Sequence, residues 1–104
     1  METLTYRFEH GQRRIPVRPE LVGVVGSGNL EVLIEAAAQD GACTVAISTA
    51  ARGFGSIWEA VITDFQQRWQ LADTRISIND MGATPAVVRL RLDQTVEALL
   101  EQAP

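Results

Sequence analysis

The sequence predicts an α+β domain. It is a two-layer sandwich in which a mostly antiparallel sheet of about six strands carries one long amphipathic helix on one face, with a short helix at the C-terminus. Three observations predict it. Apolar residues alternate over residues 3–8, 74–79 and 86–92, the period of a half-buried strand. From Ser56 onward apolar residues recur at helical spacing instead. The chain has 104 residues, enough for a single domain over 1–104 whose sheet and helix bury their apolar faces on each other.

Each element has its own signal. Leu4, Tyr6 and Phe8 share one face of the first strand. Residues 9–20 are polar and arginine-rich, with Gly11, Pro16 and Pro19, and read as a loop. Residues 21–26 read as a short buried strand, followed by a turn at Gly26-Ser27-Gly28-Asn29. Residues 30–37 fit both a strand and a helix face; the Asp40-Gly41 dipeptide after them favours a strand and a hairpin with 43–49.

Residues 51–56 form a connection. Ser56 with Glu59 three residues later is a capping-box start. The helix it opens runs to about Leu71, with Trp58, Val61, Ile62, Phe65 and Trp69 on one apolar face. Residues 74–79 turn Ile76 and Ile78 inward, and 80–85 form a loop. Residues 86–92 read as a strand with Val88, Leu90 and Leu92 on one side and Val87, Arg89 and Arg91 on the other. Asp93 is the expected cap of the final helix, with Val96, Leu99 and Leu100 as its apolar side.

Composition excludes several function classes. The net charge is −4, the wrong sign for a protein that binds nucleic acid mainly through phosphates. It suits docking onto basic patches of larger proteins. No apolar run has the ~18 residues of a membrane span, and the first residues lack a signal-peptide layout. These features predict a cytoplasmic protein. All basic residues are arginines, so neither a Schiff-base lysine nor a P-loop lysine is available. His10 and Cys43 are the only residues of their kinds, which argues against a zinc cluster and excludes an internal disulfide.

The segment from Gly23 to Leu30 is the candidate for chemistry. A dinucleotide fingerprint begun at Gly26 fails at Glu31. A nucleophile elbow fails because Val25 and Asn29 stand where glycines belong. Ser27 remains, flanked by Gly26 and Gly28, which permit positive φ and put no side chain beside the hydroxyl. With no base placed by sequence to activate it, Ser27 reads as the substrate of a modifying enzyme, or as a small residue in the structural turn of a non-catalytic binding or assembly module. His10 reads as a surface residue and Cys43 as a packed thiol, with acyl acceptor as the alternative for Cys43. Arg13, Arg14 and Arg18 cluster in the loop, and these or Arg89 and Arg91 could hold a phosphate or carboxylate.

Several blocks resemble the malonate decarboxylase acyl-carrier protein (delta subunit) family. They are the opening Met-Glu-Thr-Leu-Thr-Tyr-Arg-Phe, the stretch from Val22 through Gly-Ser-Gly to Leu33, Gly53-Phe-Gly-Ser-Ile-Trp, and Asp80 through Arg91. They occur in order across most of the chain. The resemblance implies a non-catalytic carrier subunit. It implies that Ser27, within Gly26-Ser27-Gly28, is esterified through a phosphodiester to triphosphoribosyl-dephospho-coenzyme A. The thiol of that arm would carry acetyl and malonyl groups. The implied partners are the prosthetic-group transferase, a malonyl transferase, the acyl-carrier transferase subunit and the malonyl-thioester decarboxylase subunits. The chain lacks the Asp-Ser-Leu motif of fatty-acid carriers.

Overall fold

The computed structural model describes residues 2–14, 23–27 and 29–101, with 23–27 and 101 described by backbone alone. The elements run β1 (Glu2–Phe8), β2 (Arg13–Arg14), β3 (Gly23–Ser27), β4 (Leu30–Ala36), β5 (Cys43–Thr49), α1 (Gly55–Trp69), β6 (Leu71–Ala72), β7 (Thr74–Asp80) and α2 (Pro85–Glu101). Five strands form one sheet in the order β1-β5-β7-β4-β3, and β2 with β6 makes a separate two-residue pair. The main sheet is mixed: β5 and β7 are parallel and the other neighbours antiparallel.

Period-2 patterning sets the layers. Val32 and Ile34 of β4, Val45 and Ile47 of β5, and Ile76 and Ile78 of β7 are buried under the helices. Residues of opposite parity, including Glu31, Ala46, Arg75 and Asn79, are exposed. Among them Arg75 pairs with Glu35 at 3.0 Å and Asn79 donates to Glu31 at 3.2 Å. Trp58, Ile62 and Phe65 of α1 and Val88, Leu92, Val96 and Leu99 of α2 complete the core. Burying side chains of this size contributes roughly 1.5–3 kcal/mol each.

The α+β class and the helix-on-sheet layering hold, with a main sheet of five strands instead of about six and four further corrections. First, residues 86–92 are not a strand. They open α2, which is about as long as α1, so the C-terminal helix is not short. The helix is started at Thr84, whose Oγ1 accepts from the Val87 N–H at 3.3 Å, with Pro85 in the first turn. Asp93 therefore lies inside the helix and caps nothing. It accepts from Arg68 at 2.7 and 2.8 Å and from Trp69 Nε1 at 2.9 Å, tying α1 to α2.

Second, the Asp40-Gly41 turn forms, with φ of 55° and 85°, but β4 and β5 are not a hairpin. β7 lies between them, because α1 carries the chain across to a strand parallel to β5, as parallel neighbours require. Third, Ser56 does not cap α1. The helix begins at Gly55 with Phe54 before it and has no side-chain cap bond. Fourth, α1 ends at Trp69. Gln70 takes a left-handed conformation, and Leu71 enters β6 beside β2. That crossing is tight, since a Cβ on Gly11 would run into the Leu71 carbonyl.

Candidate functional site

β3 and β4 form a true hairpin on the sheet edge. Ser27, the last residue of β3, pairs with Leu30, which leaves residues 28 and 29 as the connection. The glycine-rich sequence explains this position, since two-residue hairpin connections favour Gly and Asn. Gly28 and the Ser27 side chain lie outside the described residues. A row of paired residues runs from Ser27 through Leu30 and Asp80 to Thr49. Two strand spacings put the Ser27 and Asp80 backbones about 10 Å apart.

The loop after β7 is fastened to this hairpin. Met81 N–H donates to the Asn29 carbonyl at 2.9 Å. The buried Asp80 carboxylate accepts from Thr49 Oγ1 at 2.8 Å and from the N–H groups of Gly82 and Ala83 at 3.1 and 2.8 Å. These bonds fix the turn that starts α2. An open apolar cleft of about 240 Å³ lies beside it, lined by residues that include Phe54, Ile57, Val61 and Ala83. Phe54 and Ile57 are exposed. The Ser27 hairpin, the Asp80 loop, the cleft and the α2 N-terminus thus share one end of the sheet. The sequence singled out only the first of these. Thr84-Pro85 was the available signal for the helix start.

The candidate arginines separate into different regions. Arg14 Nε pairs with Asp73 at 2.6 Å, and the Arg13 guanidinium lies over the Trp69 ring at 5.6 Å. Both belong to the β2–β6 end, a full β7 length from Ser27, about 20 Å. Arg18 is outside the described residues. Arg89 faces α1, with Nε 3.7 Å from Asp64. Arg91, two residues on and so about 200° around the helix, falls on the flank of α2 away from α1, in a helix that packs on β3 and β4, and bonds Gln94 at 2.9 Å. Its Nε is buried with no hydrogen-bond partner.

The single cysteine and histidine are far from any shared chemistry. Cys43 is fully buried at the start of β5, and burial pushes its thiol up to about 12. Such a thiol is neither a nucleophile nor an acyl acceptor. His10 is exposed in the loop after β1. Among the described residues no His, Cys, Asp and Glu group is arranged to hold a metal, and no helix is long and apolar enough to cross a membrane.

Residues 17–99 match the family model described as malonate decarboxylase delta subunit (MdcD). The malonate decarboxylase acyl carrier protein of Stenotrophomonas maltophilia (strain K279a) is 66% identical over 105 residues, covering 100% of this chain and 99% of the relative. That of Burkholderia cepacia is 62% identical over 94 residues, covering 90% and 86%. The chain belongs to the malonate decarboxylase acyl-carrier protein family. A chain from the crystal structure of a Pseudomonas malonate decarboxylase hetero-tetramer in complex with malonate shares the fold. Its TM-score is 0.76 at 37% identity, over 95% of this chain and 99% of that one. The family match spans both the Ser27 hairpin and Arg91. The prosthetic group that the resemblance implies would call for an anchoring hydroxyl and a donor to its phosphate. The free end of the β3–β4 hairpin and the orphaned Arg91 Nε fit that demand.

Proposed function

We propose that the chain is the acyl-carrier subunit of a malonate decarboxylase and that its anchor is Ser27. The observation that carries the reading is the position of Ser27 as the last residue of β3, where the β3–β4 hairpin turns at the sheet edge, in a chain that belongs to this family. An edge strand has one neighbour only, so a modifying enzyme can approach it from the side. Ser27 would hold triphosphoribosyl-dephospho-coenzyme A through a phosphodiester. When bound, that group supplies a thioester whose carbonyl accepts the electron pair released as carbon dioxide leaves.

The chain's own residues do other work. The Asp80 hydrogen bonds and the Met81–Asn29 contact hold the hairpin end against the α2 start. Tethering makes each delivery effectively intramolecular and raises the local concentration of the acyl group. Catalysis belongs to the partners: a decarboxylating pair of subunits, acyl and malonyl transferases, and the transferase that installs the arm. The carrier acts as a single cytoplasmic domain that meets them in turn.

The test is the intact mass of the chain made together with its transferase, beside Ser27→Ala. An adduct of the arm's mass on the wild type alone is expected. The variant keeps its fold, with stability within ~0.5 kcal/mol as for ordinary surface changes, and its complex loses malonate-dependent activity. Activity retained by Ser27→Ala, or an adduct on another residue, sinks the assignment.

A further inference from the structure

We propose that Arg91 is the positioning residue that pairs with the phosphate joining the arm to Ser27, an inference that rests on the Ser27 anchor proposed above. Among the described residues two buried side-chain atoms have no hydrogen-bond partner: Glu2 Oε1, in β1 at the far edge of the sheet, and Arg91 Nε. A buried guanidinium N–H without an acceptor is costly, because it gives up water and gains nothing in return. An acceptor brought by the arm would remove that cost.

The charge pattern points the same way. Arg7, Arg14, Arg68, Arg75 and Arg89 each have a carboxylate within 4.0 Å. Among the described residues Arg13, Arg52 and Arg91 have none; Arg13 lies over the Trp69 ring, and of the three Arg91 alone has a buried nitrogen without a partner. Its one side-chain bond goes to the neutral amide of Gln94. Its neighbours at helical spacing, Thr84, Val87, Gln94, Thr95 and Ala98, are all uncharged. Glu31 and Glu35 of the adjoining strand turn to the opposite side of the sheet, where Asn79 and Arg75 hold them. Among the described residues no carboxylate compensates the positive charge of Arg91 on its flank of α2.

Geometry supplies the reach. α2 packs on β3 and β4, and its other flank is fixed against α1 by Arg89–Asp64 and by Asp93 with Arg68 and Trp69. Arg91 is six residues into α2, about 9 Å down a helix that starts at the Ser27 end of the sheet. Helical side chains lean toward the helix N-terminus, so the Arg91 side chain leans back toward that end. A guanidinium offers a planar fork of donors that matches a phosphodiester, with Nε as one tine.

The experiment compares nitrogen-15-labelled carrier with and without the arm, in two-dimensional spectra of the arginine Nε–Hε groups. Intact mass is taken on the same samples, and Arg91→Lys identifies the resonance by removing it. Loading is expected to move the Arg91 Hε downfield while those of Arg7, Arg14 and Arg75 stay in place. The phosphorus-31 line of the seryl phosphodiester should also shift between loaded wild type and loaded Arg91→Gln. A Ser27 adduct with the Arg91 resonance unmoved overturns this proposal and leaves the anchor standing. A resonance already downfield before loading assigns Arg91 to an acceptor within the chain and also overturns it. Absence of the adduct, with an active transferase, overturns both readings. The wild-type spectra decide the matter even if the variants fold poorly.

Discussion

Asp73 accepts three hydrogen bonds from two separate stretches of chain. The N–H groups of Gln39 and Gly41 donate to its Oδ1 at 2.9 Å each, and Arg14 Nε donates to its Oδ2 at 2.6 Å. The Gln39 N–H, the Gly41 N–H and the arginine together hold its carboxyl below the usual carboxylate range. A depressed folded-state value means that the charged form stabilises the fold. That contribution is complete above the unfolded-state value of about 3.9 and is lost as pH falls through the lower folded value. Asp73→Ala should therefore lower the melting temperature at pH 7, and the gap to wild type should narrow below about pH 4. A gap of constant size down to pH 2 would remove the carboxylate charge from this account. Cys43 gives a second prediction at this scale. With its thiol pushed up to about 12 by burial, it should resist a thiol reagent at pH 8 in the native protein and react promptly in denaturant. Rapid native labelling would place the thiol near the surface.

α2 is the element on which sequence and structure part, and the reason lies in window length. Over 88–92 the pattern Val-Arg-Leu-Arg-Leu alternates as a strand does. Over the full span from Pro85 to Glu101 the buried residues are Val88, Leu92, Thr95, Val96 and Leu99, which is the helical period. Five residues could not separate the two periods, and Thr84-Pro85 was the start signal that could have done so. The two assignments make opposite demands on Leu90. A strand would bury it with Val88 and Leu92, whereas in α2 it is 51% exposed and Leu92 is fully buried. Leu92→Ala should cost about 2–5 kcal/mol in denaturant unfolding, and Leu90→Ala should stay within about 0.5 kcal/mol. Comparable losses at the two positions would restore the strand. The same error left Arg91 undistinguished from Arg89. On a strand Arg89 and Arg91 share a face, but two helical residues lie about 200° apart. One therefore meets α1 and the other lies on the flank away from it. Ser27 needed no such resolution, since two flanking glycines and the elimination of known nucleophile motifs marked it locally. The hairpin between 30–36 and 43–49 failed for a different reason. The Asp40-Gly41 turn is local, but the pairing of β4 and β5 with β7 depends on a strand some thirty residues later.

Across the whole molecule the sheet is graded from centre to edge, and the proposed anchor sits on the edge. β7 is paired on both sides and buried beneath both helices through Ile76 and Ile78. β5 is likewise paired on both sides. β3 has a single neighbour, β4, among the described residues. In an antiparallel edge strand alternate N–H groups point away from the partner and lack a ladder bond. Opening β3 therefore breaks one set of cross-strand bonds, whereas opening β7 breaks two and uncovers the core. Native-state hydrogen exchange should follow this order. The amides of Val45, Ile47, Ile76 and Ile78 should exchange only through global unfolding. The bonded amides of β3 should exchange through a smaller opening, with protection at least ~10-fold lower, equivalent to about 1.4 kcal/mol. Equal protection in β3 and β7 would mean that the hairpin opens only when the whole sheet does. Any loading that needs β3 to open would then have to track global stability, and a destabilising core change such as Leu92→Ala would speed modification. With a graded sheet, the same change should leave the loading rate of the folded carrier unaltered.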